Sequence, residues 1–201
     1  MTFPPPEKLS RAVLDHYPAV RGAFDPFVPS PSIRTSIGGI PGLTSTILGW
    51  IPDARGALVE VFRSSRAEPI GQAYVSVTTP GTIKAWHLHA EPDGEVDPAR
   101  AQVDRFFALR GRTLLVFFDL RPTAVVPGRF VEFVADAARV PSFVEVPPGV
   151  AHGWLALGPG DSEILNLPTR SYDGRQERRC DPHGPVYPGG PTYEWRRSRD
   201  G

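Results

Sequence analysis

Proline and glycine interrupt this chain so often that no long helix fits within it. Of its 201 residues, 24 are Pro and 20 are Gly, and they fall between short apolar runs instead of gathering in one tract. Proline removes a backbone donor and glycine raises the entropic cost of regular structure, so each element here must be short. The runs at 57–63, 70–77, 81–89, 105–109, 113–119, 130–135, 143–146, 153–157 and 163–167 are rich in Val, Ile, Phe and Leu, and each has strand length. Short strands separated by turn residues predict an all-β chain, an antiparallel double sheet wrapped as a jelly-roll barrel.

The ends read differently. Leu9, Val13 and Tyr17 recur at helical spacing, with Ala12 beside them and Ser10 near the start, which predicts one short N-terminal helix. Pro26, Pro29, Pro31, Gly38, Gly39, Pro41 and Gly42 follow, and predict an extended arm lying on the barrel or on a neighbouring subunit. Residues 1–49 are therefore assigned to helix and arm, 50–170 to the barrel and 171–201 to a tail. Tyr187, Tyr193 and Trp195 are placed to pin that tail to the core.

Charge and cysteine content narrow the function. Lys+Arg and Asp+Glu are 22 each, so the formal net charge is zero and the positive excess that binds a phosphate backbone is missing. Neither nucleic acid nor an anionic membrane surface is expected as a partner. Cys180 is the single cysteine, and the sequence opens Met-Thr-Phe-Pro-Pro-Pro before Glu7, Lys8 and Arg11 with no apolar signal segment. Both features predict a cytoplasmic protein in a reducing compartment. No GxGxxG, GxxxxGK, GxSxG or CxxC motif is present, so dinucleotide, NTPase, serine-hydrolase and thiol chemistry have no sequence support.

The chemistry-bearing residues cluster in three motifs. Gly81-x5-His87-x-His89 places two imidazoles at i and i+2 on a predicted strand, hence on one face. Asp104-x6-Gly111 adds a carboxylate, and Pro147-x-Gly149-x2-His152 adds a third imidazole just past a tight turn. In this order the motifs resemble the two signatures of the cupin superfamily, which implies a cupin-type barrel with a metal or substrate pocket inside. In the metal reading His87, His89, Asp104 and His152 would ligate one divalent ion, and that mixed nitrogen and oxygen set accepts Zn, Mn, Fe or Ni.

A wider pattern resembles the dTDP-4-dehydrorhamnose 3,5-epimerase family. It runs through Asp53-Ala-Arg55-Gly56, Glu60, Gln72-x-Tyr74-x-Ser76-x-Thr78, Lys84 to His87, Asp119-Leu-Arg121, Pro147 to Gly153, and Tyr172 with Glu177. The resemblance implies a homodimeric jelly roll that binds a nucleotide-linked 4-keto-6-deoxy sugar and inverts carbons beside the ketone without a cofactor. By that resemblance His87 is the base. Arg55 meets the diphosphate or else makes a surface ion pair, and Glu60, Gln72 and His152 are polar contacts.

Some positions depart from the family. Asn166 stands where the family has its tyrosine acid and cannot do that work, and Tyr172 is the second catalytic candidate, called on in the metal reading because a His87 tied to the ion cannot also remove a proton. Lys84 replaces an arginine before the base, and Asp104 takes the place of a lysine. Lys84 and Asn166 join the expected substrate contacts. Gaining His89 and Asp104 while losing the lysine is also what turning a metal-free pocket into a metal site would look like. The family further implies a carboxylate near the C-terminus that orients the base, for which Asp181 and Asp200 are the candidates. Trp86, Trp154 and Tyr74 either stack on substrate or fill the core. The sequence thus leaves three readings: a sugar-nucleotide epimerase, a metal-dependent cupin enzyme with three His and one Asp, and a non-catalytic sugar-binding cupin.

Overall fold

The structure, a computed structural model, describes residues 33–53, 55–91, 94, 96 and 101–195. The expected helix over 7–17 lies outside them, as do Pro26, Pro29 and Pro31 of the expected arm. Two antiparallel sheets face each other. The first has six strands in the order β1 (Ile33–Ser36), β2 (Thr44–Ile47), β10 (Ser142–Val146), β7 (Asp104–Arg110), β12 (Ser162–Asn166) and β5 (Tyr74–Thr78). The second has five, in the order β13 (Glu177–Arg179), β6 (Ile83–His89), β11 (Val150–Ala156), β8 (Arg112–Asp119) and β9 (Phe130–Asp136). A separate hairpin, β3 (Ile51–Asp53) with β4 (Gly56–Leu58), belongs to neither sheet. This is the jelly-roll barrel the strand pattern predicts. Among the described residues no helix is long and apolar enough to cross a membrane.

Alternation along the strands builds the core. On β8, Leu115 and Phe117 face inward to join Phe106, Val144, Val146, Trp154 and Ile164 between the sheets. Leu114, Val116 and Phe118 face outward, yet they are also buried, beneath Trp86, Val186, Tyr193 and Trp195. A strand covered on both faces reads as the unbroken apolar run seen at 114–118. Trp195 lies 5.2 Å from Trp86 and Tyr193 5.1 Å from Phe130, centroid to centroid.

Two segments differ from the sequence reading. The arm is no arm from residue 33 onward, because β1 and β2 form a hairpin whose second strand, β2, also pairs with β10 and so joins the six-stranded sheet. Gly38, Gly39 and Gly42, with φ of 60°, 76° and 80°, turn the connection tightly enough to drive Ile37, Ile40 and Leu43 into the core. The breakers that suggested an extended chain are the residues this turn needs. In the run at 57–63, only residues through Leu58 are strand. Val59, Val61 and Phe62 instead pack on the outer face of the six-stranded sheet against Phe107, Phe143 and Leu167, apolar surface that would otherwise meet water.

Candidate active site

The space between the sheets opens into a cavity of about 790 Å³, within the usual range for small-molecule sites. One wall is β6 and β11, which carry Lys84, His87, His89, His152 and Trp154. The facing wall is β5, β7 and β12, which carry Tyr74, Ser76, Asp104, Phe106 and Asn166. His87 and His89 share a face, as their spacing predicts. Lys84 joins them because β6 bulges: His152 pairs with His87 but Trp154 with Lys84, so β6 carries one extra residue. Gly153 sits against that bulge, and a Cβ there would collide with Ala85 Cβ and lie 2.9 Å from Ala85 Cα. Trp86, outward on the same strand, belongs to the core under the tail and not to the cavity.

Among the described residues, the carboxylate on His87 is Glu177 and not Asp181. Strand β13 pairs with β6 and brings Glu177 Oε1 to 2.8 Å from His87 Nδ1. A carboxylate only accepts, so Nδ1 carries the hydrogen and Nε2 keeps its lone pair. Arg179 Nη2 holds the other oxygen at 3.0 Å. Burial raises the Glu177 carboxyl, but its bonds to Arg179 and His87 outweigh this and hold it below the usual carboxylate range. Asp181 instead accepts from the His183 backbone N–H at 2.9 Å and closes a turn, and Asp200 lies outside the described residues. Glu177 was present in the sequence pattern. What was missing was the short strand that places it, since three polar residues carry no apolar alternation.

Burial, and then the neighbouring His152, lower the His87 pKa to about 4 against the pull of Glu177, so the ring is neutral near pH 7. It stacks between His152 and Trp154, with centroids 5.9 and 5.7 Å away. The other imidazoles converge on Asp104. His89 Nε2 lies 2.9 Å and His152 Nε2 3.3 Å from Asp104 Oδ2, while Oδ1 accepts from Gln102 and Asn166, both at 2.9 Å. Burial opposes charge on both members of the His89 and Asp104 pair, and their mutual attraction outweighs it. His89 is raised, and Asp104 is held well below the carboxylate range. The ligand atoms of His89, Asp104 and His152 lie within 4.8 Å of one another, and His87 stands outside that group with its Nδ1 on Glu177.

Of the expected substrate contacts, Gln72, Lys84, His152 and Asn166 line the cavity. Lys84 Nζ donates to Ser76 Oγ at 2.9 Å and to the Val77 carbonyl at 2.7 Å, tying the two walls together. Tyr172 stands at the lip, 63% exposed, its backbone N–H on Gln72 Oε1 at 3.1 Å. Arg55 and Glu60 do not line the cavity. Arg55 is in the β3–β4 turn, and Glu60 accepts from Arg63 at 2.8 and 2.6 Å beside a separate depression. Both follow from a hairpin and a strap that leave the two sheets.

The dTDP-4-dehydrorhamnose 3,5-epimerase family profile matches residues 38–187. The chain is 34% identical over 124 residues to the "Probable low-salt glycan biosynthesis epimerase" of Haloferax volcanii, covering 60% of this chain and 73% of that one. Its fold is similar to that of NovW, a 4-keto-6-deoxy sugar epimerase of Streptomyces spheroides, with a TM-score of 0.65, 22% identity and coverage of 85% and 86%. It is also similar to ChmJ, a 3'-monoepimerase of Streptomyces bikiniensis in complex with dTDP-quinovose, with a TM-score of 0.62, 23% identity and coverage of 83% and 85%. With a neutral, carboxylate-oriented histidine set into a ligand-sized barrel cavity, this chain belongs to the dTDP-4-dehydrorhamnose 3,5-epimerase family and is a sugar-nucleotide epimerase.

Proposed function

We propose that the protein inverts a carbon beside the ketone of a nucleotide-linked 4-keto-6-deoxy sugar, with His87 as the base and no cofactor. The observation that carries this is Glu177 on His87 Nδ1, which leaves Nε2 as the unprotonated nitrogen for the substrate. When Nε2 takes the α proton, the C–H bond breaks and the electrons move into an enolate. Glu177 stabilises the imidazolium as it forms. Lys84 puts a positive charge on the same wall as His87 for the enolate oxygen. Gln72, His152 and Asn166 contact the sugar, and Tyr172 covers it at the lip.

Arg55 and Glu60 act on substrate only in a homodimer, where the β3–β4 hairpin and the strap after it reach the partner's cavity. The hairpin's separation from both sheets and the exposure of Trp50 and Leu58 beside it support this arrangement. A cytoplasmic location accompanies this reading, in keeping with a single exposed Cys180.

Incubation of dTDP-4-keto-6-deoxyglucose with the protein in heavy water tests the reading. Deuterium enters at C3 or C5 well above the buffer rate. If dTDP binds and no deuterium enters, the reading fails.

A second reading rests on the cluster around Asp104. His152 Nδ1 lies 3.1 Å from the Val150 carbonyl and so donates to it, which turns the Nε2 lone pair toward Asp104 Oδ2. That buried oxygen lacks a well-formed hydrogen bond. His89, Asp104 and His152 thus fit a divalent metal, with His87 left to its proton chemistry. When bound, the metal would serve as a Lewis acid. Protein purified without added ions or a metal-binding tag decides it: below about a tenth of an equivalent bound, with no uptake of Zn, Mn, Fe or Ni, the metal reading ends.

A further inference from the structure

We infer that Tyr74 is the acid of this site, giving a proton to the substrate carbon from the wall opposite His87. The inference deepens the epimerase reading and rests on it. Inversion at carbon requires that the proton return on the face opposite the one it left. His87 stands on β6 in the five-stranded sheet, so the returning proton comes from the six-stranded sheet that faces it.

That facing wall offers few transferable protons. Asn166 has only amide hydrogens, and Asp104 is engaged as an acceptor, at Oδ1 by Gln102 and Asn166, with His89 Nε2 at 2.9 Å from Oδ2. Phe106 has none, and the Ser76 hydroxyl is the acceptor of the Lys84 ammonium and a far weaker acid than a phenol. Tyr74 remains. It is on β5, directly paired in register with Asn166 on β12, so both side chains reach the cavity at adjoining points.

The local hydrogen bonds also orient the phenol. Asn166 Oδ1 accepts from the Arg105 backbone N–H at 3.0 Å, which fixes the amide. Its Nδ2 then donates to Asp104 Oδ1 at 2.9 Å and to the Tyr74 hydroxyl oxygen at 2.8 Å. The hydroxyl oxygen is the acceptor in that bond, so its own hydrogen is left for another partner, and the side chain lines the cavity where substrate would sit. Burial first, and then the Asp104 charge, raise the phenol above its ordinary range despite the Asn166 bond, so it is protonated at neutral pH. The position that the family resemblance gives to a tyrosine acid is thus filled by an amide that holds a tyrosine from the next strand.

The step balances. The Tyr74 O–H bond breaks, a C–H bond forms on the far face, and the enolate returns to the ketone. Imidazolium at His87 and phenolate at Tyr74 remain, and solvent at the open mouth carries the proton between them.

Two readouts on dTDP-4-keto-6-deoxyglucose in heavy water test the assignment: deuterium entry beside the ketone, and formation of the inverted product. Tyr74→Phe removes one hydroxyl from a half-exposed side chain, so dTDP affinity stays within a few-fold and reports an intact barrel. Deuterium entry in this variant stays within about tenfold of the natural protein while inversion falls by about 100-fold or more. His87→Asn loses both readouts. Tyr172→Phe weakens substrate binding but keeps the wild-type ratio of inversion to deuterium entry. A wild-type ratio in Tyr74→Phe overturns the assignment, as does a collapsed ratio in Tyr172→Phe alone. If the natural protein binds dTDP yet neither exchanges nor inverts, the epimerase reading itself falls, and the acid with it.

Discussion

The base role proposed for His87 needs a neutral imidazole, and burial supplies it at an energetic cost. The ring titrates at about 4 in the fold and near 6.5 in an unfolded chain. Its folded value is the lower one, so the contribution to stability is complete above pH 6.5 and is lost as pH falls toward 4. The same value sets activity: kcat/KM is predicted to rise through about pH 4 and to be flat by pH 6. An acid limb at 6.5 in the pH profile would show an unburied ring. Glu177→Gln tests the partner. The amide can donate to Nδ1 and so select the tautomer with hydrogen on Nε2, pointed at the substrate. A fall in kcat of about 10²- to 10⁴-fold follows, with dTDP affinity retained. Binding and rate falling together would instead mean that Glu177 shapes the cavity.

Strand β6 shows what one extra residue accomplishes. Without the bulge, alternation would put Lys84 and His87 on opposite faces. With it, both reach the cavity while Trp86 turns into the layer beneath the tail. Gly153 permits this by leaving room for Ala85. Gly153→Ala therefore forces backbone apart and is expected to cost about 1 to 3 kcal/mol, read as a lower midpoint in urea. The site suffers further, since the displaced strand carries the base. Here the sequence was informative in part. His87 and His89 at i and i+2 declared a shared face directly, whereas nothing in Lys84-Ala-Trp-His87 announces a bulge, because the extra residue depends on the facing strand β11. The hairpin of β1 and β2 was hidden for a similar reason: glycines that looked like breaks are intelligible as turns only once Ile37, Ile40 and Leu43 have a core to enter.

Across the whole molecule, the barrel was legible because alternating apolar runs reflect two sheets closing on one core. The three motif imidazoles all line the cavity, although spacing alone related only His87 and His89. Arg55 and Glu60 fall away from the cavity because a resemblance gives positions along a chain and not the path of a hairpin outside both sheets. The tail is the other lesson. Trp195 packs at a tilt against Trp86 and its Nε1 donates to the Pro182 carbonyl at 2.9 Å, holding the segment that follows β13. Trp195→Ala is predicted to cost about 3 kcal/mol, and to lower kcat more than the loss of stability accounts for, because that segment adjoins β13, which carries Glu177. Equal activity per folded molecule would separate the two roles. The carboxylate that holds His87 is thus delivered by the edge strand of the five-stranded sheet. A clip by protease near residue 175 would leave most of the β signature in circular dichroism intact and turnover gone, so enzyme assays would register the undocking of this edge strand well before spectroscopy did.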